Sequence, residues 1–382
     1  MFAQQWPELR KAFLHTREQV YLNHAAVSPL ALPVKQAMIH YAEERHLSCI
    51  ENYEVLMERM QTLRTHLARL VGALPEQIAL VNNTSTGLNL LATDYPWQAG
   101  DRVLLNSLEF PSNVYPFLNL KNRGVEVDFV KPRGHHCHYL ELEDLLAAIT
   151  PQTRVLSISH VQFLTGQRHD LATLGQVCRD KGIVFCVDAI QSLGATTLDV
   201  NALHIDFLST GGHKWLMGPQ GQGFVYIRPE LQQHMQPAAV GWLSVEDSWE
   251  LLDYQLKLRD DAARYELGTF NGVGITTLLA ARQFWDSFDA EGLTAHILVL
   301  TDRLVEEFKT RHISVITPES SAERLGIVTA EIEGADAYQQ ALNARGVKVA
   351  AREGRFLRVS PHGYNSAEDI MHFFDVFDEV RG

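Results

Sequence analysis

Residues 154–188 read RVLSISHVQFLTGQRHDLATLGQVCRDKGIVFCVD, with two apolar runs, RVLSIS and IVFCVD, on either side of a segment with helical spacing. IVFCVD is apolar up to its last residue, and RVLSIS sets Val, Leu and Ile among small serines, as in strands covered on both faces. Strands of that kind joined through a helix run parallel, because the crossover brings the chain back to the same end of the sheet. The alternation continues upstream: IALV from Ile78, RVLLN from Arg102 and VEVDFV from Val125 are each followed by a helical pattern. The chain is therefore expected to be an α/β protein with a mainly parallel sheet. In such sheets ligands bind beyond the carboxyl ends of the strands, so the residues just after each run are where chemistry is to be sought.

Outside this region the pattern changes. A short polar lead precedes EQVYLNHAAVSPLALP, residues 18–33, which reads as a short extended piece and a turn-rich loop punctuated by Asn, Ser and Pro. Two helices follow. In the second, Leu56, Met60, Leu63, Leu67 and Leu70 recur at spacings of four and three, a stripe that reads as core packing. Between about 240 and 267 aromatic and charged residues mix without a period. Beyond come helices over about 274–310, then ISVIT, LGIVTAEIE, VKVAA and FLRVS as strands, with helices at 336–345 and 366–380. That arrangement is an α+β lobe. The expected division is a large α/β domain over 20–260 and a small α+β domain built from 1–19 and 261–382.

At 382 residues the chain exceeds one ordinary core, and 46 % hydrophobic with 21 % charged residues describes an ordinary globular protein. A formal charge of −13 with no basic run argues against nucleic acid and anionic membrane surfaces as partners. An anionic ligand then has to be held by local cations and backbone N–H groups. Cys49, Cys137, Cys178 and Cys186 show neither a CxxC pair nor the spacing of a disulfide scaffold. MFAQQWPELRKAF carries charges where a signal peptide needs an apolar core, and no apolar run is long enough to span a bilayer. Reduced thiols and a cytoplasmic location are expected.

The chemistry gathers at the strand ends. Residues 209–224, STGGHKWLMGPQGQGF, set a lysine directly after a histidine and between glycines, an amine fixed beside closely approached backbone and ready for a carbonyl. Lys214 is expected to hold pyridoxal 5′-phosphate as a Schiff base. Asp188 ends IVFCVD, where a carboxylate is desolvated unless it meets a cation; a pyridinium N–H would satisfy it. Gln191, three residues on, could donate to a phenolate oxygen. In NNTSTGLNLLA, Thr84, Ser85 and Thr86 precede a helix and so form an anion site at its positive end. Phe110, in SLEFPSNVY, can lie flat on a bound heterocycle. Arg352 and Arg358, in AREGRFLRVSPHGYN, present planar forks suited to a carboxylate. Taken singly each has a plainer reading: a helix-capping acid, a satisfied amide, a Ser/Thr cap, a rim aromatic, two arginines on an edge strand. GHHCHY, residues 134–139, reads as a solvated loop, because adjacent residues project in different directions; no metal is expected.

Assembled in order, these residues resemble the class V aminotransferase group of fold-type I pyridoxal phosphate enzymes, which includes cysteine desulfurases, kynureninase and isopenicillin-N epimerase. The resemblance covers nearly the whole chain and implies the fold-type I architecture. It implies that Gly212, His213 and Lys214 are the motif of the Schiff-base lysine, and that Asp188 and Gln191 are the preceding Asp-x-x-Gln. Thr84 and Ser85 match the Thr/Ser pair at a helix start, and Phe110 the position that stacks on the cofactor. ELGTFN, from Glu266, looks like a Glu-x-Gly-Thr-x-Asn segment whose threonine, here Thr269, reaches the phosphate of the other subunit. A homodimer with active sites at its interface is thereby implied. Arg358 matches the late arginine that binds the substrate α-carboxylate.

Two departures matter. Desulfurases carry a cysteine on a loop ahead of that arginine, whereas only residues 353–357 separate Arg352 from Arg358 here, and none is a cysteine. Gly211 stands where they have a serine, so one phosphate ligand has to be replaced, by Ser209 or Thr210. Phe110 with Pro111, and VQFLTGQ over 161–167, look more like kynureninase. The resemblance implies an enzyme acting at Cα of an amino acid, with Lys214, Asp188 and His213 at its centre. C–S lyase activity and transamination stand ahead of epimerisation and kynureninase-like hydrolysis. Asn23 and His24 are expected to help define the substrate pocket. The contrasting reading is a cofactor-binding regulatory protein; such a chain is free to lose the lysine or the aspartate, and this one keeps both.

Overall fold

A computed structural model describes residues 2–133 and 138–382, so residues 134–137 of GHHCHY lie outside the described part. After a two-residue strand β1 (Val20–Tyr21), the central sheet is laid down by β2 (Ile78–Val81), β3 (Arg102–Asn106), β4 (Glu126–Val130), β5 (Thr153–Ser159), β6 (Val184–Asp188), β7 (Phe207–Gly211) and β8 (Gly223–Ile227). Their order across the sheet is β2-β8-β7-β6-β5-β3-β4. Neighbours from β7 to β4 pair parallel, while β8 runs antiparallel to both β7 and β2. One reversed strand in a sheet otherwise of a single direction gives the mainly parallel architecture. The five apolar runs are all strands. β7, FLSTG, has a diluted apolar signal, yet every residue in it is buried. From β3 the chain moves out to β4 and returns to β5 on the other side of β3. The loops after β3 and β5 therefore diverge and open a crevice at their carboxyl ends.

Successive residues of a strand face opposite layers, and the two cores follow that alternation. Leu104, Phe185, Val187 and Leu208 pack on one face with the predicted stripe of Leu56, Met60, Leu63, Leu67 and Leu70. Val103, Leu105, Cys186 and Phe207 pack on the other, with Leu88 and Leu91 of the helix Thr84–Asp94. That helix presses hard on the sheet: a Cβ at Gly87 would lie 2.2 Å from Ser209 Oγ and 2.5 Å from Val225 Cγ1. Only glycine permits the approach.

In the smaller lobe β9 (Val328–Glu331), β10 (Val347–Lys348), β11 (Ala350–Arg352) and β12 (Phe356–Val359) form an antiparallel sheet β11-β12-β9, with β10 beside β1. Leu304, Phe308, Leu342, Phe373, Phe374 and Phe377 pack over Val328, Leu357 and Leu22. ISVIT makes one bridge, Val315 to Ala330, rather than the expected strand. The packing also crosses the expected domain limits. β1 pairs with β10, and Leu22 belongs to the small core, so the chain from Val20 starts in the small lobe. The helix Gly272–Trp285 puts Ile275 and Leu278 into the large core, on the large-lobe side of the joint. No helix among the described residues is long and apolar enough to cross a membrane.

Candidate active site

β6 and β7 end together, with Asp188 opposite Ser209. After Gly211 the backbone folds back on itself: Gly212 N–H donates to Gln222 O (2.8 Å), Gly218 N–H to Gly212 O (2.8 Å) and Met217 N–H to Lys214 O (3.0 Å). Met217 is fully buried at φ 51°, a left-handed conformation that costs a side-chain-bearing residue on the order of 1–2 kcal/mol. The closed loop bears that strain and presents Lys214. Its Nζ lies 5.5 Å from the centroid of the Phe110 ring. Burial lowers the pKa of this amine, and Arg358 and Arg352 add to the effect; Asp188 opposes it. Lys214 is thus available as a neutral amine more readily than a solvated lysine, as a nucleophile or base requires.

Asp188 is 2 % exposed, and its Oδ1 accepts from Ile190 N–H at 3.0 Å. Burial raises its pKa and Glu109 raises it further, against the pull of the Ile190 N–H and Lys214. None of the ion pairs among the described residues involves Asp188, so no salt bridge offsets its burial. Glu109, which the sequence reading does not single out, is also buried. Its Oε1 accepts from Asn106 Nδ2 (2.7 Å) and Ser159 N–H (2.9 Å), and its Oε2 from Asn113 Nδ2 (3.1 Å) and the Ser159 hydroxyl. The available signal is its place, an acid directly behind a strand and before Phe110.

The helix start behind β2 is capped by Asn83, whose Oδ1 accepts from Thr86 N–H (2.9 Å). Thr84, Ser85 and Thr86 instead fill the first turn, which leaves Thr84 Oγ1 buried and without a partner. Ser85 Oγ meets Ser112 Oγ at 2.7 Å. The expected replacements for the missing serine are committed elsewhere: Ser209 Oγ donates to Thr84 O (3.0 Å), and the buried Thr210 hydroxyl lies 3.4 Å from Gly211 O. Gly211 itself has a steric reason, since a Cβ there would stand 3.2 Å from two atoms of the His213 ring. Gln191 bridges inward, donating to Ala25 O (3.0 Å) and accepting from Trp215 Nε1 (2.9 Å). One amide proton remains for a ligand. Thr269 is exposed and lines a surface cavity of about 240 Å³ with Asn82, Thr86 and Gln222.

Arg358 is 2 % exposed. Its Nη1 donates to Phe163 O at 2.7 Å, while Nε and Nη2 are buried without partners. Those two nitrogens form one edge of the guanidinium, the fork that takes a carboxylate through two parallel bonds. Phe163, part of VQFLTGQ but given no role of its own there, sets its ring 5.2 Å from that of Phe110 in an edge-to-face contact. The expectation for His24 is overturned. It is fully buried, with Nδ1 donating to Ser360 O (2.7 Å) and Nε2 held by Tyr364 OH (2.8 Å), so neither nitrogen is free for a substrate. Asn23 is bridged through its backbone to Ser360 and keeps an unpartnered Oδ1. Ser28 N–H reaches His213 O at 2.9 Å, tying this segment to the lysine loop.

These groups fit pyridoxal 5′-phosphate: an unpaired buried acid for a ring nitrogen, an orphaned hydroxyl at a helix start for a phosphate, an aromatic face, and a depressed amine. The family model Aminotransferase class-V matches residues 20–373. A probable cysteine desulfurase of Methanothermobacter thermautotrophicus is 27 % identical over 398 residues, covering 98 % of each chain. The apo structure of a cysteine desulfurase from Thermococcus onnurineus NA1 matches with a TM-score of 0.88 at 26 % identity, over 98 % of this chain and 97 % of that one. A cystine C-S lyase in complex with its reaction product cysteine persulfide shares the fold, with a TM-score of 0.87 at 24 % identity over 96 % of this chain and 99 % of that one.

Proposed function

Because the chain belongs to the aminotransferase class-V family, whose members are pyridoxal phosphate enzymes, we propose that Lys214 is the amine that joins the cofactor aldehyde and that the protein cleaves a carbon–sulfur bond of an amino acid. The observation that carries this reading is the open fork of Arg358, with Nε and Nη2 buried and unpartnered, on a guanidinium near enough to Lys214 to depress its amine. Bound pyridoxal phosphate supplies an electron sink next to Cα. The chain does the rest. Arg358 Nε and Nη2 take the α-carboxylate, Asp188 keeps the ring nitrogen protonated, and Phe110 and Thr84 fix the plane and the phosphate end. Lys214 Nζ, released by the substrate amine, takes the Cα proton as general base. The β-sulfur leaves with the Cβ–S electron pair. For cysteine the balance is one water consumed, with pyruvate, ammonia and hydrogen sulfide formed.

Relatives named as cysteine desulfurases favour chemistry at sulfur. The short turn over 353–355 between β11 and β12 contains no thiol to receive that sulfur, which favours its release. The reading also takes the protein as a homodimer. Trp249 at 60 %, Leu252 at 88 % and Tyr254 at 89 % exposure form an apolar surface on the segment before Thr269, which is then offered to the neighbouring site.

The test is a panel of sulfur-containing and sulfur-free amino acids, scored separately for sulfide, pyruvate, keto acid and inverted stereocentre. Sulfide and pyruvate in equal amounts are expected, and Lys214→Ala should abolish both together with the visible absorption of the lysine-bound cofactor. Acceptor-dependent keto acid without sulfide would replace lysis by transamination. Retention of the absorption and of turnover in the variant would remove Lys214 from its role.

A further inference from the structure

β11 and β12 are joined by a tight turn in which Glu353 and Gly354 both have positive φ, at 52° and 69°. Ala350 pairs with Arg358 and Arg352 with Phe356. Residues two apart on a strand share a face, so this register puts Arg352 and Arg358 on the same face as diagonal neighbours. Both guanidiniums depress the Lys214 amine, and Arg352 depresses Arg358 after burial has already done so. Arg358 reaches the site through Phe163, whose ring meets the Phe110 ring beside Lys214, and Arg352 is its diagonal neighbour on the same face.

Neither takes part in any ion pair among the described residues. Arg355, on the turn between them, shows the contrasting behaviour of a surface arginine: it lies over the Phe356 ring and approaches Glu331 at 3.8 Å. Arg352 is half-buried, desolvation lowers its pKa, and its Nη1 donates only to Ala351 O, at 2.7 Å. One substrate carboxylate is fully received by the open fork of Arg358. A second guanidinium beside it then remains partly desolvated and without an ion pair, a cost that an anion would relieve.

We propose that Arg352 is a second anion-binding position, and that the preferred substrates are amino acids whose side chain carries a second acidic group. The proposal rests on the assignment of Lys214 and Arg358 above and names the substrate class of that site. The α-carboxylate docks on Arg358 and the side-chain acid on Arg352, so the substrate lies with its β-carbon between the two forks and Lys214. In a chain of net charge −13, this pair is the local field that draws a dianion in.

The test uses the cofactor-loaded enzyme, calorimetric titration, and two four-carbon acids without an amine, succinate and butyrate. Succinate is expected to bind at least tenfold more tightly, the range a charge-assisted pair supplies. Arg352→Gln should bring the two within about twofold of each other, chiefly by weakening succinate, while Arg352→Lys retains part of the difference. Arg358→Gln should weaken both ligands. Equal affinity of the unaltered enzyme for the two acids, or a preference that survives Arg352→Gln, would overturn the proposal. Failure of the underlying assignment is visible separately, as a missing lysine-bound cofactor absorption before any acid is added.

Discussion

Replacing Glu109 by glutamine tests whether the buried carboxyl behind Asp188 is ionised. Burial pushes its pKa up, yet three N–H donors and the Ser159 hydroxyl surround it, a set that favours a carboxylate, which accepts from all four. The amide of glutamine brings one NH2 into this set. At the Oε1 position it would face the Ser159 backbone N–H, which cannot turn, and the Asn106 amide, whose Oδ1 is held by Leu108 N–H at 3.0 Å. At the Oε2 position the Ser159 hydroxyl can rotate to accept, but Asn113 offers an oxygen only by flipping, which also reverses its 2.6 Å bond with Ser157 Oγ. The better orientation therefore sets donor against donor or forces that rearrangement, and it replaces charge-assisted bonds by neutral ones, a loss of roughly 3–6 kcal/mol. Relief of the repulsion with Asp188 and of burying a charge returns part of this, so a net cost of about 3 kcal/mol is expected. Urea unfolding followed by tryptophan fluorescence at pH 7.5, with cofactor saturating both proteins, measures it. A cost below about 1 kcal/mol would mean that Glu109 is already protonated, because one neutral group would then simply replace another, and the argument from the donors would fail.

Two further outcomes follow from buried contacts. His24, His160, His169 and His362 are all buried, and burial lowers each pKa, to about 3 for His160 and His362 and about 4 for His169. Unfolded histidine takes its proton near 6.5 while these folded ones stay neutral, so their stabilisation is complete above that pH and is lost as pH falls towards the folded values. Each contributes a slope of up to about 1.4 kcal/mol per pH unit. The thermal midpoint should drop steadily between pH 6.5 and 4.5; a midpoint constant over that window would contradict the neutral assignments. Gly87→Ala should cost roughly 1–3 kcal/mol and weaken cofactor retention, since the helix carrying Thr84 has to lift off Ser209 and Val225. Unchanged melting and unchanged retention would show that this contact has slack.

What the sequence makes legible divides along a physical line. Strands buried on both faces have to be apolar, and the residues after them have to meet at one end of the sheet, so the gathering of Lys214, Asp188 and Phe110 behind β7, β6 and β3 is legible from position. His24 is misread because nothing local distinguishes a buried histidine from a pocket one; its partners, Ser360 and Tyr364, lie more than 330 residues away in sequence. Glu109 is missed because its nearby amides, Asn106 and Asn113, mark nothing by themselves, and the Ser159 donors that complete its set lie 50 residues away in β5. The helix Gly272–Trp285 is apolar enough to suit either lobe, and only its packing on the helices Leu32–Leu47 and Tyr53–Val71 assigns it. Asn83 takes the cap from Thr84 because its side chain reaches Thr86 N–H, a choice between neighbouring capping residues that composition does not resolve.

The segment from β1 to Ser28 has a consequence for the order in which the protein is made. Leu22 N–H bonds to Lys348 O, Ser360 N–H to Leu22 O, and His24 N–H to Ser360 O, so a piece of chain made before the large sheet is held by pieces made after it. The strands of the large sheet end at Ile227, and that sheet can close during translation. Residues 20–25 cannot dock until Ser360 has emerged. The nascent protein therefore carries the lysine loop beside an undocked strap over 20–25, and a chain cut short of Ser360 lacks the bonds that hold the segment clasping His213.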